Sequence, residues 1–278
     1  MRKPKVSVLM PVYNPHPAFF RQALQSILAQ TFEDWELVIV EDPAPRSAEE
    51  ILRDFRDRRI RYLRNRERTS LLEQCNRCLL SAYGALVACL DQDDICEPTR
   101  LEKQVAFLEQ NPQVTVLGTQ LAIIRGDGSL VGYRRYPCEH EAIVKAMQYF
   151  DPIANPSVMF RKQAAIAAGG YQLAESPFVD YELWCRLAKR GAVFANLPEP
   201  LVRYRVHLDS VTKGTQVRDT LRNTIRVKKM YWQSQMEFGA RLRLLAEQLL
   251  LLSPQSLVVW LFLKTQIISP RNASWTIS

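Results

Sequence analysis

Four near-continuous apolar runs, at residues 6–10, 37–40, 60–63 and 85–90, are separated by stretches with helical periodicity. A strand with one wet face alternates apolar and polar residues. These runs do not alternate, so both of their faces must be covered. Between the first two, Phe20, Leu24, Ile27 and Leu28 share a helical face from Pro17 to about Gln30, and Pro17 suits a first helical turn. Ser47 with Glu50, and Ser70 with Glu73, read as capping boxes that open the next two helices. The expected class is α/β: a Rossmann-like, mostly parallel sheet flanked by helices.

After one more helix, the pattern changes from Val114. Pro98 opens a helix with Leu101, Val105 and Leu108 in register, and two β-rich runs, 114–124 and 129–136, enclose Gly126-Asp127-Gly128, a hairpin signal. Two short helices flank Ser157-Val158-Met159-Phe160, and Gly169-Gly170 ends the second. A helix from about Asp180 to Arg190 and a strand at 201–205 follow. Beyond Gly214, Arg218, Arg222, Arg226 and Lys229 form a basic stripe at helical spacing, and two apolar runs lie at 249–252 and 257–263. Pro254 and Lys264 interrupt the roughly 20 apolar residues that a spanning helix needs. Helices packed on the domain are expected there, with peripheral contact to a membrane surface as the alternative. The expected division is 1–110 and 111–213 as two halves of one domain, with 214–278 as a C-terminal helical extension.

The net charge of +8 fits anionic partners, but no zinc-finger spacing and no aromatic RNP-type strand points to nucleic acid. Leu71, Cys75, Cys78, Leu79 and Ala82 share a helical face, so the C-x-x-C reads as reduced core cysteines of a cytoplasmic protein. The short run after Met1-Arg2-Lys3-Pro4 is a strand at once, so no signal peptide is expected.

Polar motifs follow two of the strands. Pro11-Val12-Tyr13-Asn14 succeeds the first, and Asp91-Gln92-Asp93-Asp94 the fourth. Open α/β sheets bind ligands at such strand ends. Three carboxylates within four residues repel one another and are costly to pack unpaired, a cost that Mg²⁺ or Mn²⁺ would remove. A metal in turn suggests a phosphate-bearing substrate. Tyr13 can stack on a flat base, and Asp42 can accept hydrogen bonds from one.

These motifs resemble the family 2 glycosyltransferases. The match runs in order from about Lys5 to Thr212: the Tyr13 motif; Gln22 to Thr31; Glu36 to Asp42; the acidic motif; Arg100-Leu101-Glu102-Lys103-Gln104; Gly169-Gly170-Tyr171; Asp180-Tyr181-Glu182-Leu183-Trp184; and Tyr204-Arg205-Val206-His207. The resemblance implies a GT-A fold and inverting transfer of one sugar from a nucleotide diphosphate sugar, UDP-linked by preference. The acceptor would be a saccharide or lipid-linked molecule. It places Pro11, Tyr13, Asp42, Asp91 and Asp93 at the nucleotide, Asp93 and Asp94 at the metal, and Asp180 as catalytic base. Trp184 and His207 are neighbours of that site or packing residues. The chain departs from the family where Glu41-Asp42-Pro43 stands for two aspartates and Gly-Ser, where Val179 replaces a carboxylate, and where Asn155 replaces a His. Two alternatives are a nucleotidyltransferase, which the lack of a Gly-rich phosphate loop disfavours, and a non-catalytic binding or scaffold subunit.

Overall fold

The computed structural model describes residues 3–173, 179–206 and 217–253. His207 and the apolar run at 257–263 lie outside the described residues. Strands β1 (Val6–Tyr13), β2 (Trp35–Asp42), β3 (Ile60–Arg64) and β4 (Leu86–Cys89) alternate with helices α1 (Pro17–Leu28), α2 (Ala48–Leu52) and α3 (Leu71–Ser81). β1 pairs in parallel with β2 and with β4, and β2 with β3. β1, β2 and β4 are largely buried on both faces, as their near-continuous apolar runs require, whereas the edge strand β3 is half-buried. Val8, Met10, Leu37 and Ile39 pack with Phe20, Leu24 and Ile27 of α1. Leu9, Val38 and Val40 pack on the other face with Cys78 and Leu79 of α3. Each fully buried Leu, Ile or Phe is worth about 1.5–3 kcal/mol. All six cysteines are free thiols. Burial holds the Cys78 thiol above its ordinary range, which makes it inert.

The chain continues through β5 (Ile95–Cys96), α4 (Arg100–Gln110), β6 (Val114–Arg125), β7 (Leu130–Arg134), α5 (His140–Ala146), β8 (Met159–Arg161), α6 (Lys162–Ala167), α7 (Val179–Lys189) and β9 (Val193–Val206). One sheet runs β3-β2-β1-β4-β8-β6-β9-β5, with β7 on β6. It is parallel through its first four strands and mixed beyond them: β8 is antiparallel to β4 and β6, while β6 and β9 are parallel. The expected hairpin is present as β6–β7. Gly169 and Gly170 end α6 with φ of +94° and +68°, and the Gly170 N–H donates to the Ala165 carbonyl at 2.8 Å.

Several expectations are corrected. β1 does not stop at Met10 but carries Pro11, Val12 and Tyr13 within the strand. The capping box at Ser70 and Glu73 forms in full. At Ser47 it does not: Ser47 Oγ accepts from the Glu49 N–H at 3.2 Å, and Glu41 at the end of β2 accepts from the Ala48 N–H at 2.5 Å and from Ser47 Oγ at 3.2 Å. β9 is far longer than residues 201–205. Pro198 and Pro200 argue against a strand in sequence, yet β6 absorbs them by shifting register around Gln120, whose Nε2 donates to the Leu197 carbonyl at 2.9 Å.

Helices α8 (Val217–Trp232) and α9 (Phe238–Leu250) pack on the domain. Trp232 Nε1 donates to Cys185 Sγ of α7 at 3.3 Å, and the buried Lys228 of α8 donates to both carboxylate oxygens of Glu247 of α9 at 2.7 Å. Among the described residues no helix is long and apolar enough to cross a membrane.

Candidate active site

The site forms where β1, β4, β9 and α7 meet. Residues 91–94 make a tight turn after β4, with the Asp94 N–H donating to the Asp91 carbonyl at 3.3 Å. Gln92 fastens this turn to β1: its Oε1 accepts from the Tyr13 N–H at 3.1 Å, and its Nε2 donates to the Tyr13 carbonyl at 3.0 Å. Asn14, with φ of +48°, turns the chain away, a conformation that Asn tolerates. Its Oδ1 accepts from Arg46 Nε at 3.2 Å.

Two buried arginines frame the acidic turn. Arg100 donates to the carbonyls of Cys89 at 2.8 Å and Val158 at 3.1 Å. Arg205 of β9 donates through Nε to the Asp93 carbonyl at 2.8 Å, through Nη1 to the Gly126 carbonyl at 3.0 Å, and through Nη2 to Gln22 Oε1 at 2.5 Å. Its backbone N–H donates to Asp94 Oδ1 at 2.8 Å, and its guanidinium lies 4.3 Å from the centre of the Phe19 ring. Sequence reasoning placed Arg205 in a motif without a role. It is the clasp that joins β9, the β6–β7 turn, α1 and the acidic turn.

The carboxylates divide into two kinds. Asp42 is buried and fully engaged: Oδ1 accepts from Asn65 Nδ2 at 2.5 Å, and Oδ2 from the Thr69 N–H at 2.8 Å. It shapes the loop before α3. Tyr13 beside it is 38% exposed, and the Arg68 guanidinium covers its ring at 4.3 Å. Asp91, Asp94 and Asp180, by contrast, are crowded. Burial, then the charges of Asp93 and Asp180, push Asp91 up to about 7, with Arg100 opposing. Burial, then Asp93 and Asp91, hold Asp94 well above the usual carboxylate range. Asp94 Oδ2 is a buried oxygen with no partner among the described residues.

Asp180 lies in the first turn of α7 and is buried. Burial raises it to about 6, against the N–H groups of Asp180 and Tyr181 and the charge of Arg134. Asp151, which sequence reasoning missed, faces the same region. Burial and the Asp180 charge hold it well above the usual carboxylate range, and Arg134 opposes. Pro11, Asp91, Asn155 and Tyr171 line one small hollow. Trp184 does not line a site. It is fully buried edge-on against Phe160, ring centres 5.6 Å apart.

Among the described residues no group of three His, Cys, Asp or Glu is arranged to hold a metal. The donor set nonetheless suits a hard divalent cation. It is all oxygen, its negative charges raise one another, and Mg²⁺ commonly takes only one or two carboxylates and completes its shell with substrate phosphates and water. Asp91 and Asp93 meet that description. Asp94 has one oxygen committed to the Arg205 N–H.

The family model for Glycosyl transferase family 2 matches residues 7–168. A glycosyltransferase of Haemophilus influenzae of uncharacterised role is 35% identical over 206 residues, 73% of this chain and 76% of that protein. The amylovoran biosynthesis glycosyltransferase AmsE of Erwinia amylovora is 31% identical over 210 residues, covering 74% and 78%. Among solved structures, S. aureus TarS 1–349 in complex with UDP-GlcNAc superimposes with a TM-score of 0.67 at 16% identity, over 82% of this chain and 66% of that one. The mannosyltransferase PcManGT of Pyrobaculum calidifontis, in complex with GDP-Man and Mn²⁺, gives 0.63 at 15% identity, over 93% and 73%. The fold is therefore GT-A, and the chain belongs to glycosyltransferase family 2.

Proposed function

We propose that this glycosyltransferase moves a single sugar, with inversion, from a nucleotide diphosphate sugar to a saccharide or lipid-linked acceptor in polysaccharide or glycolipid synthesis. UDP-GlcNAc in TarS and amylovoran synthesis by AmsE support that choice of donor and pathway class. The observation that carries the reading is Asp180, a buried carboxylate raised to about 6 and electrostatically coupled to Asp91 of the acidic turn.

In this reading Tyr13 and the end of β2 flank the base, Asp91 and Asp93 hold the ribose and diphosphate side, and residues 111–213 bind the acceptor. Bound Mg²⁺ or Mn²⁺, held chiefly by Asp93, would neutralise the diphosphate as the sugar bond breaks. In its ionised form Asp180 can take the acceptor hydroxyl's proton as that oxygen attacks the anomeric carbon. Gln92 and Arg205 position the acidic turn and take no part in the transfer.

The test is thermal stability against a panel of nucleotide diphosphate sugars with and without Mn²⁺. A donor at about 100 times its Kd adds roughly 2.7 kcal/mol. A metal-dependent shift with one nucleotide, lost in Asp93→Asn, supports the reading. Binding without turnover in any acceptor extract favours the scaffold alternative.

A further inference from the structure

We infer that the outward face of α9 is a docking surface for an anionic lipid bilayer. Phe238, Leu242, Leu245, Leu249 and Leu252 are each between 52% and 84% exposed. Their spacing of four, three, four and three residues puts them in one line down the helix. The opposite face, with Ala240, Leu244 and the Lys228–Glu247 pair, packs inward. Scattered exposed leucines are ordinary, but a continuous stripe of five large apolar side chains marks an interaction site.

The charges around the stripe identify its partner. At about 100° per residue, Arg241 falls at the edge of the apolar arc, whereas Arg243 lies toward the packed face and pairs with Glu247 at 3.0 Å. Both are exposed, as are Arg222, Arg226 and Lys229 of α8. Residues 217–253 hold seven basic against three acidic residues, a net +4 within a chain of net +8. The acidic residue in the middle of α9, Glu247, pairs with Lys228 and Arg243 on the side away from the stripe, so it does not lie on the outer arc. An apolar arc edged by an arginine, on a helix pair of net positive charge, is the design of a helix lying in a membrane interface, where the long side chains reach up to the headgroups. A second copy of the chain is the poorer fit. The stripe spans two heptads, where a coiled coil needs roughly three or more.

The docking does not depend on the reaction assigned above, but its bearing on the acceptor rests on that reading. α9 starts against the acceptor half: the Glu237 N–H donates to Gln148 Oε1 at 2.9 Å, and Lys145 Nζ lies 3.2 Å from Glu237 Oε1. Gln148 stands three residues before Asp151, which is coupled to Asp180. A bilayer on α9 therefore adjoins the acceptor side of the site, where a membrane-borne acceptor would be presented.

Flotation of the full chain with vesicles tests this. Phosphatidylcholine vesicles with about 30 mol % phosphatidylglycerol should capture the protein at least about tenfold better than phosphatidylcholine alone. Leu245→Ser/Leu249→Ser should weaken capture by about tenfold or more, and Arg241→Gln by about fivefold, with the melting temperature and any nucleotide-induced shift unchanged. If the serine pair lowers the melting temperature, Phe238→Ala/Leu252→Ala replaces it. Capture that survives both pairs overturns the proposal. So does failure to bind by a dimer that the serine pair makes monomeric, which would assign the stripe to a second copy. Failure to bind by a monomer also overturns it and leaves residues 254–278 as the cover. Donor binding is measured separately by nucleotide-induced stabilisation, so loss of one reading is not mistaken for loss of the other.

Discussion

The ends of β2 and β4 carry the same side chain and treat it in opposite ways. At the end of β2, Asp42 has both oxygens filled by Asn65 and Thr69. At the end of β4, Asp91, Asp93 and Asp94 crowd one turn, and Asp94 keeps a buried oxygen without a partner among the described residues. A carboxylate whose lone pairs are all taken by its own chain contributes to the fold. A group of carboxylates that raise one another stores a repulsion that a cation can release. The difference separates an end of the sheet whose carboxylate is satisfied by its own chain from one whose carboxylates are not.

The largest test of that contrast is Asp180→Asn. It keeps the shape and removes the base, so transfer should fall by about 10²–10⁴-fold with donor binding intact. A fall below tenfold would remove Asp180 from the chemistry. Next is Arg205→Met, which strips the clasp from the acidic turn and leaves its carbonyl partners unmatched. A loss of about 3–5 kcal/mol in urea unfolding is expected.

The pH dependence of stability sharpens the comparison further. Asp91 and Asp180 are raised from 3.8 to about 7 and about 6 in the folded chain. The native state therefore binds more protons than the unfolded chain between pH 4 and 7, and stability falls as pH rises through that window. In EDTA the melting temperature should drop from pH 5 to pH 7.5. Saturating Mn²⁺ with nucleotide should flatten or reverse the drop, because the cation favours the ionised forms. An unchanged slope would mean that the turn does not hold the metal.

Asp42→Asn should cost about 1–2 kcal/mol through the mismatched Asn65 and Thr69 donors. A loss of nucleotide affinity much larger than that loss of stability would show that Asp42 also serves the base. The smallest effect belongs to Arg134→Gln. Arg134 opposes the rise of Asp180, so its loss should move the acid limb of kcat upward by less than about one pH unit.

Much of the fold was legible because its signals are local. Four near-continuous apolar runs announced a doubly covered sheet, and Ser70 with Glu73 announced a helix start. What stayed hidden depends on contacts distant in sequence. Glu41 replaces Glu50 at the start of α2 only because β2 delivers it there. β9 tolerates Pro198 and Pro200 only because β6 shifts register opposite them. At the site, the acidic motif and Asp180 stood out as residue types. The roles of Gln92 and Arg205 did not, since each is defined by partners brought in from other strands. Asp151 had no local signal at all, because its proximity to Asp180 exists only once β8 and α7 are in place.

The single sheet has a consequence for the catalytic cycle. β5, from the first half, pairs with β9, from the second, while β8 is inserted between β4 and β6. Swinging the halves apart would tear a row of interstrand hydrogen bonds, so among the described residues the sheet offers no hinge about which to open. Turnover should therefore proceed with this sheet frame rigid.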